Sequence, residues 1–120
     1  MLRGGRDTNY EEELGKLVNH PKVVAIGECG FDFFRTAKEN FEKTKITQRN
    51  IFERQIDLAL ENNKALMLHC RPIKNSMDAY EETLSVLEPL VKEHGEKLFG
   101  NVHFFAGDLG ILHHFLDIGF

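Results

Sequence analysis

Three short apolar runs recur along the chain: Val23-Val24-Ala25-Ile26, Ala65-Leu66-Met67-Leu68, and Leu98 to Val102. A longer stretch with helical periodicity separates each run from the next. Short runs of this kind, bounded by glycine, proline or asparagine, read as strands buried on both faces. Such strands belong to parallel sheets covered by crossover helices. The alternation predicts an α/β fold in which three to four parallel strands are joined by helices. The strands are expected at Lys22–Gly27, Ala65–Leu68 and Leu98–Val102, with Ile118-Gly119-Phe120 opening a fourth.

The helices follow from spacing. Tyr10, Leu14, Leu17 and Val18 form one stripe, with acidic residues in the first turn where the helix dipole favours them. Thr47–Asn62 carries Ile51, Phe52, Ile56, Ala59 and Leu60 on one face. Met77, Tyr80, Leu84, Leu87, Leu90 and Val91 mark a third helix, with Ser76 as N-cap and Pro89 breaking or restarting it near its end. Asp108 is placed to cap a last helix with Leu109, Leu112, Phe115 and Leu116 inward. Asp32–Lys45 is polar and irregular, and reads as a long loop leaving the first strand.

The ends of the strands carry the chemistry. Each strand finishes in a potential metal ligand: Glu28, His69 and His103. In parallel α/β folds, functional side chains gather at the carboxyl ends of strands, so these three are expected to converge. Two imidazoles and a carboxylate suit zinc, manganese, nickel or iron. Taken singly, each residue also has a structural explanation, as a hydrogen-bonded core histidine or a paired carboxylate. The coincidence of all three at equivalent strand ends favours the metal. His20, His94, His113 and His114 fall in turns or on helices and read as solvated or packed.

Other residues sit on the same rim. Arg71 either clamps a phosphate through paired hydrogen bonds or forms a salt bridge to Glu28 or Asp32. Asp32 either supports a metal ligand from behind or is a turn residue. Cys29 and Cys70 each follow a proposed ligand, and strand alternation turns them away from it, as small buried hydrophobes. Phe31, Phe33 and Phe34 either wall a substrate cleft or pack the core. Lys38, Lys43 and Lys45 would attract a polyanion or simply be solvated.

A net charge of −4 excludes a broad basic surface that holds nucleic acid by electrostatics alone. It does not exclude an enzyme that grips phosphate through metals. Two cysteines are too few for a disulfide framework. No apolar run approaches a membrane span, and Met1 to Arg6 lacks a signal-peptide core. A cytoplasmic protein without membrane partners is expected. At 120 residues the chain has room for one domain.

Four motifs are specific enough to name a family. They are Ala25-Ile26-Gly27-Glu28-Cys29-Gly30-Phe31-Asp32, Gln48-x-x-x-Phe52-x-x-Gln55-x-x-Leu58-Ala59, Leu68-His69-Cys70-Arg71, and Val102-His103-Phe104-Phe105-x-Gly107. In this order and spacing they resemble the TatD family of metal-dependent deoxyribonucleases, from about Asn9 to Phe120. The resemblance implies a (β/α)8 TIM barrel of the amidohydrolase type with a divalent-metal site on its C-terminal rim. It implies that Glu28 is catalytic and bridges two metal ions, with His69 and His103 completing one coordination set. The metals would be magnesium, zinc or manganese. The substrate would be DNA, hydrolysed at its phosphodiester bonds, with 3′-to-5′ exonuclease action in the full-length protein.

Two family features are missing. No His-x-His pair occurs anywhere in the chain, and the chain stops before the late strand that carries the family's catalytic aspartate. A complete barrel takes roughly 250 residues. Residues 1–120 are therefore expected to be the central segment of one barrel domain, lacking its N-terminal and C-terminal strands. Such a segment would have little or no nuclease activity alone, and would need association to cover its open sheet edges. The competing expectations are an amidohydrolase-like enzyme acting on small esters or amides, and a non-catalytic interaction scaffold.

Overall fold

The computed structural model describes residues 8–120. The reading of Met1 to Arg6, and the placement of the Tyr10 side chain, lie outside the described residues. Three strands, β1 (Ala25–Cys29), β2 (Ala65–Leu68) and β3 (Gly100–Val102), pair in parallel in the order β1-β2-β3. Four helices accompany them: α1 (Thr8–Leu17), α2 (Phe41–Asn62), α3 (Asp78–His94) and α4 (Leu109–Asp117). The α/β architecture expected from the alternation is present, with three strands among the described residues.

One face of the sheet is closed by helices. Ile26, Cys29, Leu66, Leu68 and Cys70 pack with Phe52, Ile56 and Ala59 of α2 and with Tyr80, Leu84 and Leu87 of α3. Phe31 and Phe33 are fully buried in the same core, where Phe31 meets Phe52 edge-on with ring centroids 5.9 Å apart. Such aromatic pairs add stabilisation beyond the area they bury.

Several boundaries differ from the expected ones. The first strand starts at Ala25 rather than Lys22 because its partner starts at Ala65, and Ala25 pairs with Ala65. The Val23 carbonyl instead accepts from Lys64 Nζ at 2.7 Å, and Val24 is 79% exposed. The supposed loop Asp32–Lys45 is partly helical: a 3-10 turn occupies Lys38–Asn40 and α2 begins at Phe41. Phe41 anchors that early turn by packing on Phe33, ring centroids 4.8 Å apart, and Lys45 pairs with Glu42 at 3.3 Å. A polar composition concealed the helix because only one of its faces is dry.

Pro89 does not break α3, which runs through to His94. The proline is exposed, so water can serve the carbonyl that its missing N–H leaves unbonded. Ser76 acts one residue outside the cap position, its Oγ accepting from the Asp78 N–H at 3.0 Å. In α4, Ile111 and Phe115 face inward, whereas Leu109 and Leu116 face out. Phe115 sets the phase by meeting Tyr80 and Phe105 edge-on, each with centroids 6.3 Å apart. Ile118 to Phe120 do not open a strand. Their N–H groups bond back to the carbonyls of His114, Leu116 and Phe115, closing the end of α4.

Candidate metal centre

Parallel pairing brings the carboxyl ends of β1, β2 and β3 to one rim. On β1 the alternation is broken by a bulge: Gly27 pairs with Met67 and Cys29 with Leu68, leaving Glu28 without a partner. A regular strand would put Glu28 on the same face as buried Ile26. The bulge places Cys29 there instead and turns Glu28 to the open face. The Gly27–Glu28 peptide bond is cis. No side chain fits at Gly27, where a Cβ would stand 2.7 Å from Met67 Cβ.

His69 and His103 continue β2 and β3 on that open face. Their backbones are held by the ladder, His69 N–H donating to the Cys29 carbonyl at 2.8 Å and His103 N–H to the Leu68 carbonyl at 2.7 Å. Both side chains approach one carboxylate oxygen: His69 Nδ1 lies 3.8 Å and His103 Nε2 3.6 Å from Glu28 Oε2. All three side chains are half-exposed at the mouth of the sheet.

Within this group, His69 Nδ1 is buried and has no hydrogen-bond partner. A buried polar atom without a partner is costly, and an ion is one way to satisfy it. Among the described residues no group of three or more His, Cys, Asp or Glu side chains could, as arranged, hold a metal ion; Glu28, His69 and His103 stand too open for that. The separations agree with that openness, since donors sharing one zinc ion at about 2.0–2.1 Å lie roughly 3.4 Å from each other. In donor chemistry the residues nevertheless suit a divalent cation: two imidazole nitrogens lie 3.8 and 3.6 Å from one carboxylate oxygen, and one of them is unpartnered.

The other rim residues resolve differently. Arg71 forms neither of the expected salt bridges among the described residues; its guanidinium lies over the ring of Phe34, 4.1 Å from the centroid. Asp32 caps a turn, its Oδ1 accepting from the Phe34 N–H at 3.2 Å, and no hydrogen bond among the described residues joins it to Glu28, His69 or His103. Of the three phenylalanines, Phe31 and Phe33 belong to the core and only Phe34 is exposed.

Both cysteines are buried free thiols. Burial pushes the Cys70 thiol up to about 11, partly opposed by its hydrogen bond with Thr83, and raises Cys29 further. They are not candidate thiolate ligands. Of the remaining histidines, His114 pairs with Glu88 at 3.3 Å and ties α4 to α3. Lys45 is engaged by Glu42 and Glu82 rather than free to attract a polyanion.

Gln48, on α2, carries a role not evident in the sequence beyond its place in a motif. Its amide straps the turn after β1, Oε1 accepting from the Asp32 N–H at 2.9 Å and Nε2 donating to the Asp32 carbonyl at 3.0 Å.

Comparison with known proteins identifies the pattern. A family model described as TatD related DNase matches residues 4–120. The 3'-5' ssDNA/RNA exonuclease TatD of Escherichia fergusonii is 42% identical over 98 residues, covering 81% of this chain and 32% of that protein. The protein of the same name from Escherichia coli K12 is 40% identical over 98 residues, with coverage of 81% and 32%. An uncharacterized metal-dependent hydrolase of Buchnera aphidicola is 31% identical over 112 residues, covering 93% of this chain and 37% of that protein. The chain spans about a third of the length of these relatives.

Proposed function

The chain belongs to the TatD related DNase family, and on that footing we propose that it supplies one metal-binding set of a metal-dependent nuclease acting on phosphodiester bonds of DNA. The reading rests on one observation above the others: Glu28, His69 and His103 meet on one face at adjacent strand ends, with His69 Nδ1 left unpartnered. The names of the relatives, a 3'-5' ssDNA/RNA exonuclease and a metal-dependent hydrolase, point to single-stranded nucleic acid as substrate and to a divalent ion as cofactor.

Glu28, His69 and His103 would hold the ion, with Glu28 able to bridge to a second ion whose remaining ligands lie outside these residues. Magnesium, zinc and manganese are the candidates. The chemistry such an ion would supply there is polarisation of a phosphoryl oxygen and a more acidic water. The chain's own residues do the positioning. Glu28 contributes the negative charge that retains a cation. His69 and His103 would offer imidazole nitrogens, and their backbones are held by the strand ladder. Arg71 offers guanidinium N–H donors to a phosphate oxygen on the same rim.

On this reading residues 1–120 form the central segment of one (β/α)8 barrel. Support comes from the three parallel strands and from the outer edges of β1 and β3, which pair with no other strand among the described residues. Association that covers those edges, and a cytoplasmic location with both thiols reduced, belong to the same reading. No helix among the described residues is long and apolar enough to cross a membrane.

A segment exchange tests the proposal. The aligned 98 residues would replace their counterparts in the Escherichia coli relative, and release of nucleotides from the 3′ end of labelled single-stranded DNA would be followed with Mg²⁺ or Mn²⁺. An active chimera that loses at least a hundredfold on Glu28→Gln supports it. A folded but inactive chimera, or one indifferent to that substitution, overturns it. The 120-residue chain alone is expected to release little or nothing.

A further inference from the structure

In the segments that follow β1 and β2, Asp32, Phe34, Arg35, Thr36 and Arg71 line a cleft of about 390 Å³. We propose that it is a subsite for a nucleotide phosphate ester, gripped by Arg71 and Arg35, and that Phe34 is a positioning residue that aims Arg71 into it. The proposal rests on the phosphodiesterase reading for its substrate class, and it assigns roles to Phe34 and Arg35 that reading does not use.

The first observation is the exposure of Phe34. Its neighbours Phe31 and Phe33 are 0% exposed, whereas Phe34 is 40% exposed. A built turn holds the ring there, through the Phe34 N–H bond to Asp32 Oδ1 and the two-way strap of Gln48 on the Asp32 backbone. An apolar ring fixed in water is costly unless something covers it.

The second observation is what meets the ring. The guanidinium carbon of Arg71 stands 4.1 Å, and that of Arg35 6.0 Å, from its centroid. Arg71 starts from a fixed backbone, its N–H donating to the Phe31 carbonyl at 2.9 Å and its carbonyl accepting from the Phe33 N–H at 2.7 Å. A guanidinium lying over a ring keeps its edge N–H donors available, in the planar fork that matches a phosphate.

The third observation is that neither guanidinium is ion-paired. The chain carries 19 acidic residues against 15 basic ones, yet among the described residues neither guanidinium has a carboxylate within ion-pair distance. Asp32 also lines the cleft and brings its own negative charge, but its Oδ1 accepts from the Phe34 N–H and it makes no ion pair with either guanidinium. Two like charges gathered on one aromatic ring repel each other, and an anion between them removes the repulsion. The cleft volume falls in the range of small-ligand sites, about 300–1,000 Å³.

The chain contains no tryptophan, so Phe34→Trp places a single fluorescent reporter in the cleft while keeping the stack. Inorganic phosphate, thymidine monophosphate and a decathymidylate would be titrated in EDTA, so that no metal contributes. Saturable quenching by the monophosphate and the decamer is expected. Binding of a fluorescein-labelled decamer, read by anisotropy, should weaken about tenfold in Phe34→Leu and recover to within about twofold in Phe34→Trp. Arg35→Gln should lower the slope of log affinity against log salt by about 0.7, one phosphate contact on a single strand.

Equal affinity of wild type, Phe34→Leu and Arg35→Gln for the decamer overturns the subsite, as does failure of all three ligands to bind. Binding of the monophosphate without the decamer supports the subsite and removes polynucleotide as its source. Mn²⁺ affinity measured separately on Phe34→Leu should be unchanged, which separates failure of this subsite from failure of the metal-centre reading.

Discussion

Glu28 Oε2 lies 3.6 Å from His103 Nε2, although β2 stands between the strands that carry them. The bulge in β1 makes that approach possible by turning Glu28 out of the buried face and towards His69 and His103. If this group binds a divalent ion, Glu28→Gln and His69→Ala should each lower Mn²⁺ affinity by at least about tenfold in calorimetric titration. Unchanged affinity in both variants would remove the site.

Asp32 separates two roles by a conservative change. Asp32→Asn keeps an oxygen that can accept from the Phe34 N–H but loses the charge. Because the carboxylate serves the turn, Mn²⁺ affinity should stay within about twofold of wild type. A tenfold loss would instead show that Asp32 supports the metal ligands from behind.

Gly30 has a φ of +120°, and a Cβ there would meet the His69 carbonyl at 2.8 Å. Both the backbone conformation and the space require glycine. Gly30→Ala should cost about 1–3 kcal/mol in denaturant unfolding, at a residue that touches no proposed ligand side chain. A change below about 0.5 kcal/mol would contradict this account of the turn.

Asp108 caps α4, its Oδ1 accepting from the Ile111 N–H at 2.8 Å. Asp108→Ala should destabilise by about 1 kcal/mol, and Asp108→Asn should recover most of that. Equal losses in the two variants would point to charge rather than capping.

The buried thiols give a pH dependence with a definite sign. Burial raises Cys70 to about 11 and Cys29 further, against an ordinary value of 9.0, so both are neutral in the fold. Unfolding releases protons above that ordinary value. Stability is therefore fully present below about pH 9 and falls as pH rises through the folded values. Tyr80, raised by burial, acts in the same direction above its ordinary value of 10.0. The melting temperature should drop on the alkaline side, and a thiol reagent at pH 8 should modify neither cysteine until denaturant is added. Rapid modification of the native chain would show that the core is open.

The α/β class, the existence and order of the four helices and the three ligand candidates were legible in the residues because each is a local signal. Apolar runs alternate with helical periodicity, and a titratable residue follows every run. The motif spacing carried the family. Local signals also misled where a neighbour decides the outcome. Val24 belongs to no strand because β2 starts opposite Ala25, and Leu116 faces out because Phe115 is claimed by Tyr80 and Phe105.

Sequence alone thus determined which residues stand at the strand ends, since strand and helix periods are properties of consecutive residues. Only the tertiary structure decided which way they point. Period-two alternation cannot announce a bulge, so the turn of Glu28 towards His69 and His103 depends on the register between β1 and β2. The same holds for Arg71: two carboxylates were nearer in expectation, but the ring of Phe34, held out by Asp32 and Gln48, is what it meets.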